Sequence, residues 1–266
     1  MMADKIGIIG FGEAGQAVAG GFREEGSLVS AYDLQYNKYL EKAEELKVNL
    51  FDNKKEFLKN VDILFSLVPC SVSLVVAKEF IPLLDSKKIF IELSASFPDD
   101  MEKASQIAYN NGINFIDGAI MGSVINFKHK VPIFLSGKKS MEISKDLKKL
   151  GMNIEVIGDK AGQASASKLC RSIYTKGTEA LLVELLKTTD HFNITDTVLD
   201  SIDKTWYLNG FRAEAERLVE STNKHIERKH AEVINVVKMI KDIGIEAYMS
   251  QAAEIVLNQK KDNLTK

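Results

Sequence analysis

Nothing in this chain leaves the backbone less choice than its first strand and turn. The apolar run 6–9 leads straight into Gly10-Phe11-Gly12-Glu13-Ala14-Gly15, and an amphipathic stretch over 14–25 follows. The three glycines serve different physical ends. Gly10 permits the tight turn, Gly12 lets another group approach the backbone where a Cβ would stand, and Gly15 lets helix and strand pack closely. The turn delivers a helix N-terminus whose unpaired N–H groups and dipole attract an anion. Asp33 closes the second apolar run, 23 positions after Gly10, where a carboxylate can accept hydrogen bonds from both hydroxyls of a ribose. Together Gly10 to Gly15 and Asp33 predict a bound dinucleotide. Asp33 favours NAD, because the 2′-phosphate of NADP would meet its negative charge; Lys38 is the nearest basic residue, and NADP stays open.

From Lys5 to about residue 158, short β-rich runs alternate with longer amphipathic ones. This predicts an α/β fold in which βαβ units wind into a Rossmann-type, doubly wound, mostly parallel sheet. Strands are expected at 6–9, 28–32, 61–67, 89–93, 114–117, 132–136 and 153–157, and helices at 14–25, 37–46, 72–80 and 98–110. After Gly162 strand signals cease and helical periodicity runs to about Asn258, so an all-α C-terminal domain is expected. The division is a dinucleotide-binding domain over 1–160 and a helical domain over 161–266. Residues 163–186 are apolar around most of the circumference and are expected to form a buried helix between the domains. Further helices are expected at 195–206, 211–221, 224–243 and 247–258, broken at Gly210 and Gly244, with a frayed end from Gln259.

With 35 basic and 37 acidic residues the formal charge is −2. No general attraction therefore draws the chain to nucleic acid or to an anionic membrane. No run approaches the ~20 apolar residues of a membrane-spanning helix, and Cys70 and Cys170 form no CxxC pair. The expectation is a cytoplasmic protein without disulfide, metal site, nucleic-acid partner or membrane partner, its cysteines buried as small hydrophobes.

Hydride exchange with a nicotinamide needs a side chain that handles the substrate's proton. None of His129, His191, His225 and His230 belongs to a recognisable motif, and each reads as surface or structural. Lys168 is the better candidate. It lies in the long apolar helix after Gly162, Ala164, Ser165, Ala166 and Ser167, small residues that leave room for a ligand. Burial there would lower its pKa toward neutrality; an ammonium reaching solvent along its aliphatic stem is the plainer alternative.

Four segments in order resemble the β-hydroxyacid dehydrogenases, the group that includes 3-hydroxyisobutyrate dehydrogenases and relates to 6-phosphogluconate dehydrogenase. These are Gly10–Gly15, Ser66-Leu67-Val68-Pro69, Asp117-Gly-Ala-Ile-Met121-Gly122-Ser123, and Gly162-Gln-Ala-Ser-Ala-Ser-Lys168. The resemblance implies that Leu67, Val68 and Pro69 lie beside the cofactor ribose and that Ser94 and Ser96 lie near the nicotinamide. Capping of the following helix is an equal reading of those two serines. It further implies that Met121, Gly122 and Ser123 receive the substrate carboxylate, that Lys168 is the general acid/base, and that the helical domain forms a homodimer.

The chain also departs from that pattern. Where the group carries an Asn four positions after the lysine, Lys168 is followed by Leu169-Cys170-Arg171-Ser172. Arg171 offers a bidentate fork to a second anionic group, with Ser172 beside it, or else a structural salt bridge. The later Lys-Asp-Leu-Gly segment is replaced by His225-Ile-Glu-Arg228-Lys229-His-Ala-Glu232. The leading expectation is hydride transfer between NAD(P) and a small 3-hydroxy acid or its oxo counterpart. Imine or pyrroline reduction on the same scaffold and a non-catalytic dinucleotide sensor are the alternatives.

Overall fold

Strand and helix alternate from Lys5 to Gly158 in the computed structural model, which describes residues 5–94, 96–205 and 211–264. The order is β1 (Lys5–Ile9), α1 (Glu13–Glu24), β2 (Leu28–Tyr32), α2 (Tyr36–Glu45), β3 (Asn49–Phe51), α3 (Lys54–Leu58), β4 (Ile63–Ser66), α4 (Ser73–Phe80), β5 (Ile89–Glu92) and α5 (Pro98–Asn110). Then come β6 (Asn114–Ile120), α6 (Val124–Phe127), β7 (Pro132–Ser136), α7 (Ser140–Lys149) and β8 (Asn153–Gly158). The remaining helices are α8 (Gln163–His191), α9 (Thr195–Thr205), α10 (Phe211–Lys224), α11 (Ile226–Asp242) and α12 (Tyr248–Leu264). Residues 1–171 and 172–266 form two compact units.

The sheet of the first unit runs β3-β2-β1-β4-β5-β6-β7-β8. All neighbours are parallel except β6 and β7. Only residues 121–131 join that pair, too few for a helical crossover with a return of the chain, so the pair closes antiparallel. Successive strand residues face opposite sides, and the sheet is covered on both. Ile8, Phe65, Ile91 and Ile116 pack on one face with Val18 and Phe22 of α1. Leu64, Phe90 and Phe115 pack on the other with Phe57 of α3, Phe80 of α4 and Met101 and Ala104 of α5. These near-continuous apolar runs are what made the strands legible.

Several expectations change. β3, α3, α6 and α7 carry no counterpart in the sequence reading; β3 is a three-residue edge strand, too short to show a period. β6 continues to Ile120, because Gly118 leaves a place that Leu93 and Leu135 fill. Cys70 and Cys170 are exposed rather than buried, the first in the loop after β4 and the second on α8. The circumference of α8 expected to be buried is open in the single chain at Leu181, Leu182 and Val183, the last 68% exposed. The end expected to fray is helical to Leu264, where polar but helix-favouring residues continue α12 and Lys261 pairs with Glu227 at 3.0 Å. Trp206 and Gly210 lie outside the described residues.

In the second unit, Ile240, Ile245 and Ala247 form a small core at the α11–α12 turn, where Gly244 has φ +75°. Buried Glu184 of α8 caps α12: it accepts hydrogen bonds from Met249 N–H (2.7 Å), Ser250 N–H (3.0 Å) and the Ser250 hydroxyl (2.6 Å). Among the described residues no helix is long and apolar enough to cross a membrane.

Candidate active site

The glycine turn sits where β1 meets α1. Gly10 has φ +91°, and a Cβ there would lie 2.7 Å from the Leu67 carbonyl oxygen; on Gly15 it would lie 2.0 Å from that of Gly10. Gly12 differs: nothing stands within 4 Å of the place its Cβ would take. It is also the N-cap of α1, and no side chain caps that end. Open space before an uncapped N-terminus is the cradle that a pyrophosphate requires, so these residues fit the phosphates of a dinucleotide. Phe11 contributes only backbone, since its ring is buried in the core against Tyr39. Glu13 is exposed and Ala14 half-buried in the first turn.

Asp33 follows β2 and ties this turn to the next helix. Its carboxylate accepts the Phe11 N–H and the Gln35 N–H, each at 2.7 Å, leaving further lone pairs for a ribose. A cleft of about 440 Å³ opens beside it, lined by Gly12, Asp33, Leu67, Val68, Pro69 and Phe80 among others. Lys54 closes one side, paired with Glu79 and 5.4 Å above the Phe80 ring. Lys38 is held by Gln35 (3.1 Å) and stands over the Tyr39 ring. The expected cofactor residues thus converge on one end of the sheet.

The neighbouring strand ends carry the second half of the site. Glu92 ends β5 and Asp117 lies beside it on β6, register partners with no exposure. Asp117 anchors the start of α8. Its Oδ2 accepts from Gly162 N–H (2.8 Å), Ala164 N–H (3.1 Å), Ser165 N–H (3.2 Å) and the Ser136 hydroxyl (2.9 Å), while Oδ1 accepts from the Ser165 hydroxyl (2.6 Å). Glu92 accepts from Ser94 N–H (3.0 Å) and the Ser94 hydroxyl (2.5 Å). Ser96 donates to the Cys70 carbonyl (3.0 Å), joining the loops after β4 and β5. Neither serine caps α5, whose N-cap is Phe97.

Lys168 stands one turn beyond this anchor, three residues after Ser165. It is half-buried; burial lowers its pKa, Arg171 lowers it further, and Glu92 and Cys70 act in the opposite sense. Burial pushes Glu92 up to about 7 against its hydrogen bonds from Ser94. Met121 packs with Ala119 and Ala164, and Ser94 bridges to Ala119, so the end of β6, the loop after β5 and the start of α8 meet. Gly122 and Ser123 are exposed just beyond, and the Ser123 oxygen caps α6 by accepting the Asn126 N–H at 3.4 Å. Arg171 is exposed at the end of the first unit; Ser172, half-buried, begins the second. The sequence reading missed Glu92 and the anchoring role of Asp117, since only the pairing of β5 with β6 sets the two carboxylates side by side.

The uncapped helix at Gly12, the aspartate after β2 and the strand order define a dinucleotide-binding α/β domain of the Rossmann type. Residues 5–158 match the family described as the NAD binding domain of 6-phosphogluconate dehydrogenase, and the chain belongs to that family. Residues 190–259 match a domain of unknown function, DUF1932. A conserved hypothetical protein from Sinorhizobium meliloti 1021 is 33% identical with a TM-score of 0.65, over 97% of this chain and 88% of that one. The conserved protein MTH1747, described as structurally similar to 3-hydroxyacid dehydrogenases, is 30% identical with a TM-score of 0.64, over 97% and 96%. An imine reductase from Myxococcus stipitatus in complex with NADP+ shares the fold with a TM-score of 0.81 at 18% identity, over 97% and 94%.

Proposed function

We propose that this chain is an NAD(P)-dependent oxidoreductase acting on a small 3-hydroxy acid or its oxo counterpart, with Lys168 as general acid/base and NAD preferred. The observation that carries the reading is the placement of a half-buried amine, its proton affinity lowered, on a helix anchored at the same sheet end as the open Gly12 cradle. Gly10 to Gly15 and the α1 N-terminus hold the pyrophosphate, Asp33 receives the ribose, and Leu67, Val68 and Pro69 shape the cleft. The nicotinamide, when bound, supplies or takes up the hydride. Lys168 gives its proton to the substrate oxygen in reduction and recovers it in oxidation. The Ser123 hydroxyl, whose oxygen serves the cap and whose hydrogen can still be donated, and the backbone at Gly122 and Met121 receive the carboxylate, while Arg171 and Ser172 serve a second polar group.

Imine reduction is the second reading, favoured by the absence of an Asn four positions after Lys168 and by the fold shared with imine reductases. A panel of 3-hydroxy acids, their oxo counterparts and cyclic imines, assayed with each nicotinamide cofactor by absorbance, decides between them. Turnover of acids and not imines supports the first reading; the reverse result replaces it. The exposed apolar side chains of the second unit, Leu181, Leu182, Val183 and Ile255 among them, support a homodimer. Solution scattering that gave the mass of one chain would refute that assembly.

A further inference from the structure

The two buried carboxylates on β5 and β6 are not equivalent. Side by side in register on one sheet face, they repel, and each has to be met by donors. Asp117 is met by three backbone N–H groups and two hydroxyls, a set that leaves its charge fully engaged in holding α8. Glu92 is met by the N–H and hydroxyl of Ser94, and its charge favours the protonated form of Lys168. Residues three and four apart on a helix share a face, so Lys168 lies on the side of α8 that carries Ala164 and Ser165, both held by Asp117, the register partner of Glu92.

We propose that Glu92 is a positioning residue of this site, whose carboxylate supplies the negative charge against which the Lys168 amine keeps its proton and at the same time aims the Ser94 hydroxyl. The role in catalysis rests on Lys168 handling the substrate's proton, as proposed above. Among the described residues, the charged and titratable groups that act on Lys168 include Arg171 from its own helix, Glu92 from β5 and Cys70 from the loop after β4, and Asp117 from β6 acts on Glu92. Arg171 works against the ammonium and Glu92 offsets it. Because burial places the Glu92 titration at about 7, this compensation is present on the alkaline side and lost on the acid side.

The test reads the amine without turnover. Trace acetylation of the full chain with acetic anhydride over a pH series, followed by peptide mass spectrometry, gives the fraction of Lys168 that is unprotonated at each pH. Glu92→Gln keeps the size and the acceptor and removes the charge. The expected result is a fall of about one pH unit in the Lys168 midpoint, hence about tenfold greater labelling on its acid side, with other lysines unmoved. An unmoved Lys168 midpoint in a variant with native circular dichroism overturns the proposal. Should the variant not fold, the wild-type profile decides: Lys168 labelling must show an inflection near neutral pH as Glu92 ionises, and a single smooth titration overturns the proposal. Turnover retained by Lys168→Ala would instead remove the catalytic reading while leaving the electrostatic result to stand or fall by labelling.

Discussion

Replacing Asp117 separates two contributions to the helix that carries Lys168. In Asp117→Asn the amide oxygen can keep the four donors of Oδ2 and the amide nitrogen can donate to the Ser165 hydroxyl, so the change removes chiefly the charge at a helix N-terminus. In a buried site that charge contributes about 2 kcal/mol. Asp117→Ala removes the carboxylate and leaves the Gly162 and Ser165 N–H groups and the Ser136 and Ser165 hydroxyls without it in a site with no exposure, while Ala164 N–H keeps the Ser136 hydroxyl oxygen at 3.0 Å. At about 1–3 kcal/mol for each buried donor left without a partner, partly recovered by entering water, the expected loss is about 4 kcal/mol or more. Urea unfolding followed by circular dichroism measures both, and the transition of the first unit is the one that moves. Equal losses for Asn and Ala, or losses below about 1 kcal/mol for both, would refute the anchoring argument.

Three further outcomes follow from the site. The folded-state pKa of Glu92 lies above its ordinary 4.5, at about 7, so the stability of its neutral form is complete below the ordinary value and is lost as pH rises through the folded one. Glu92→Gln is therefore expected to match wild type in urea at acid pH and to exceed it by about 3 kcal/mol at mildly alkaline pH; a difference independent of pH would contradict this. Gly12→Ala meets no protein atom and should leave the thermal midpoint near wild type while calorimetry shows dinucleotide affinity at least about tenfold weaker, whereas Gly15→Ala should destabilise the fold itself. Asp33→Asn removes the charge that repels a 2′-phosphate, and the ratio of NAD to NADP affinities should shift toward NADP; a ratio that stays constant would deny Asp33 that role.

The parallel sheet was legible because strands buried on both faces need unbroken apolar runs, as at 89–91, and because Gly10 and Gly15 stand where a Cβ would strike a carbonyl oxygen. Lys168 and Asp33 could be singled out by type and position. The short β3 and the antiparallel turn into β7 depend on sheet closure, which leaves no local period. Glu92 and Asp117 escaped because their meaning lies in register: only pairing of β5 with β6 sets the two carboxylates together, one toward Ser94 and one toward the start of α8. The exposed leucines of α8 read as core in the sequence because periodicity reports which side chains are apolar, and says nothing of what covers them.

The most direct measurement is the turnover of Lys168→Ala beside its cofactor affinity, on whichever acid or imine substrate the panel yields. A proton donor that leaves the dinucleotide cradle untouched predicts a loss of about 10²- to 10⁴-fold in kcat/KM, with calorimetric affinity for NAD unchanged. Full turnover in that variant would contradict the assignment of the amine to the reaction.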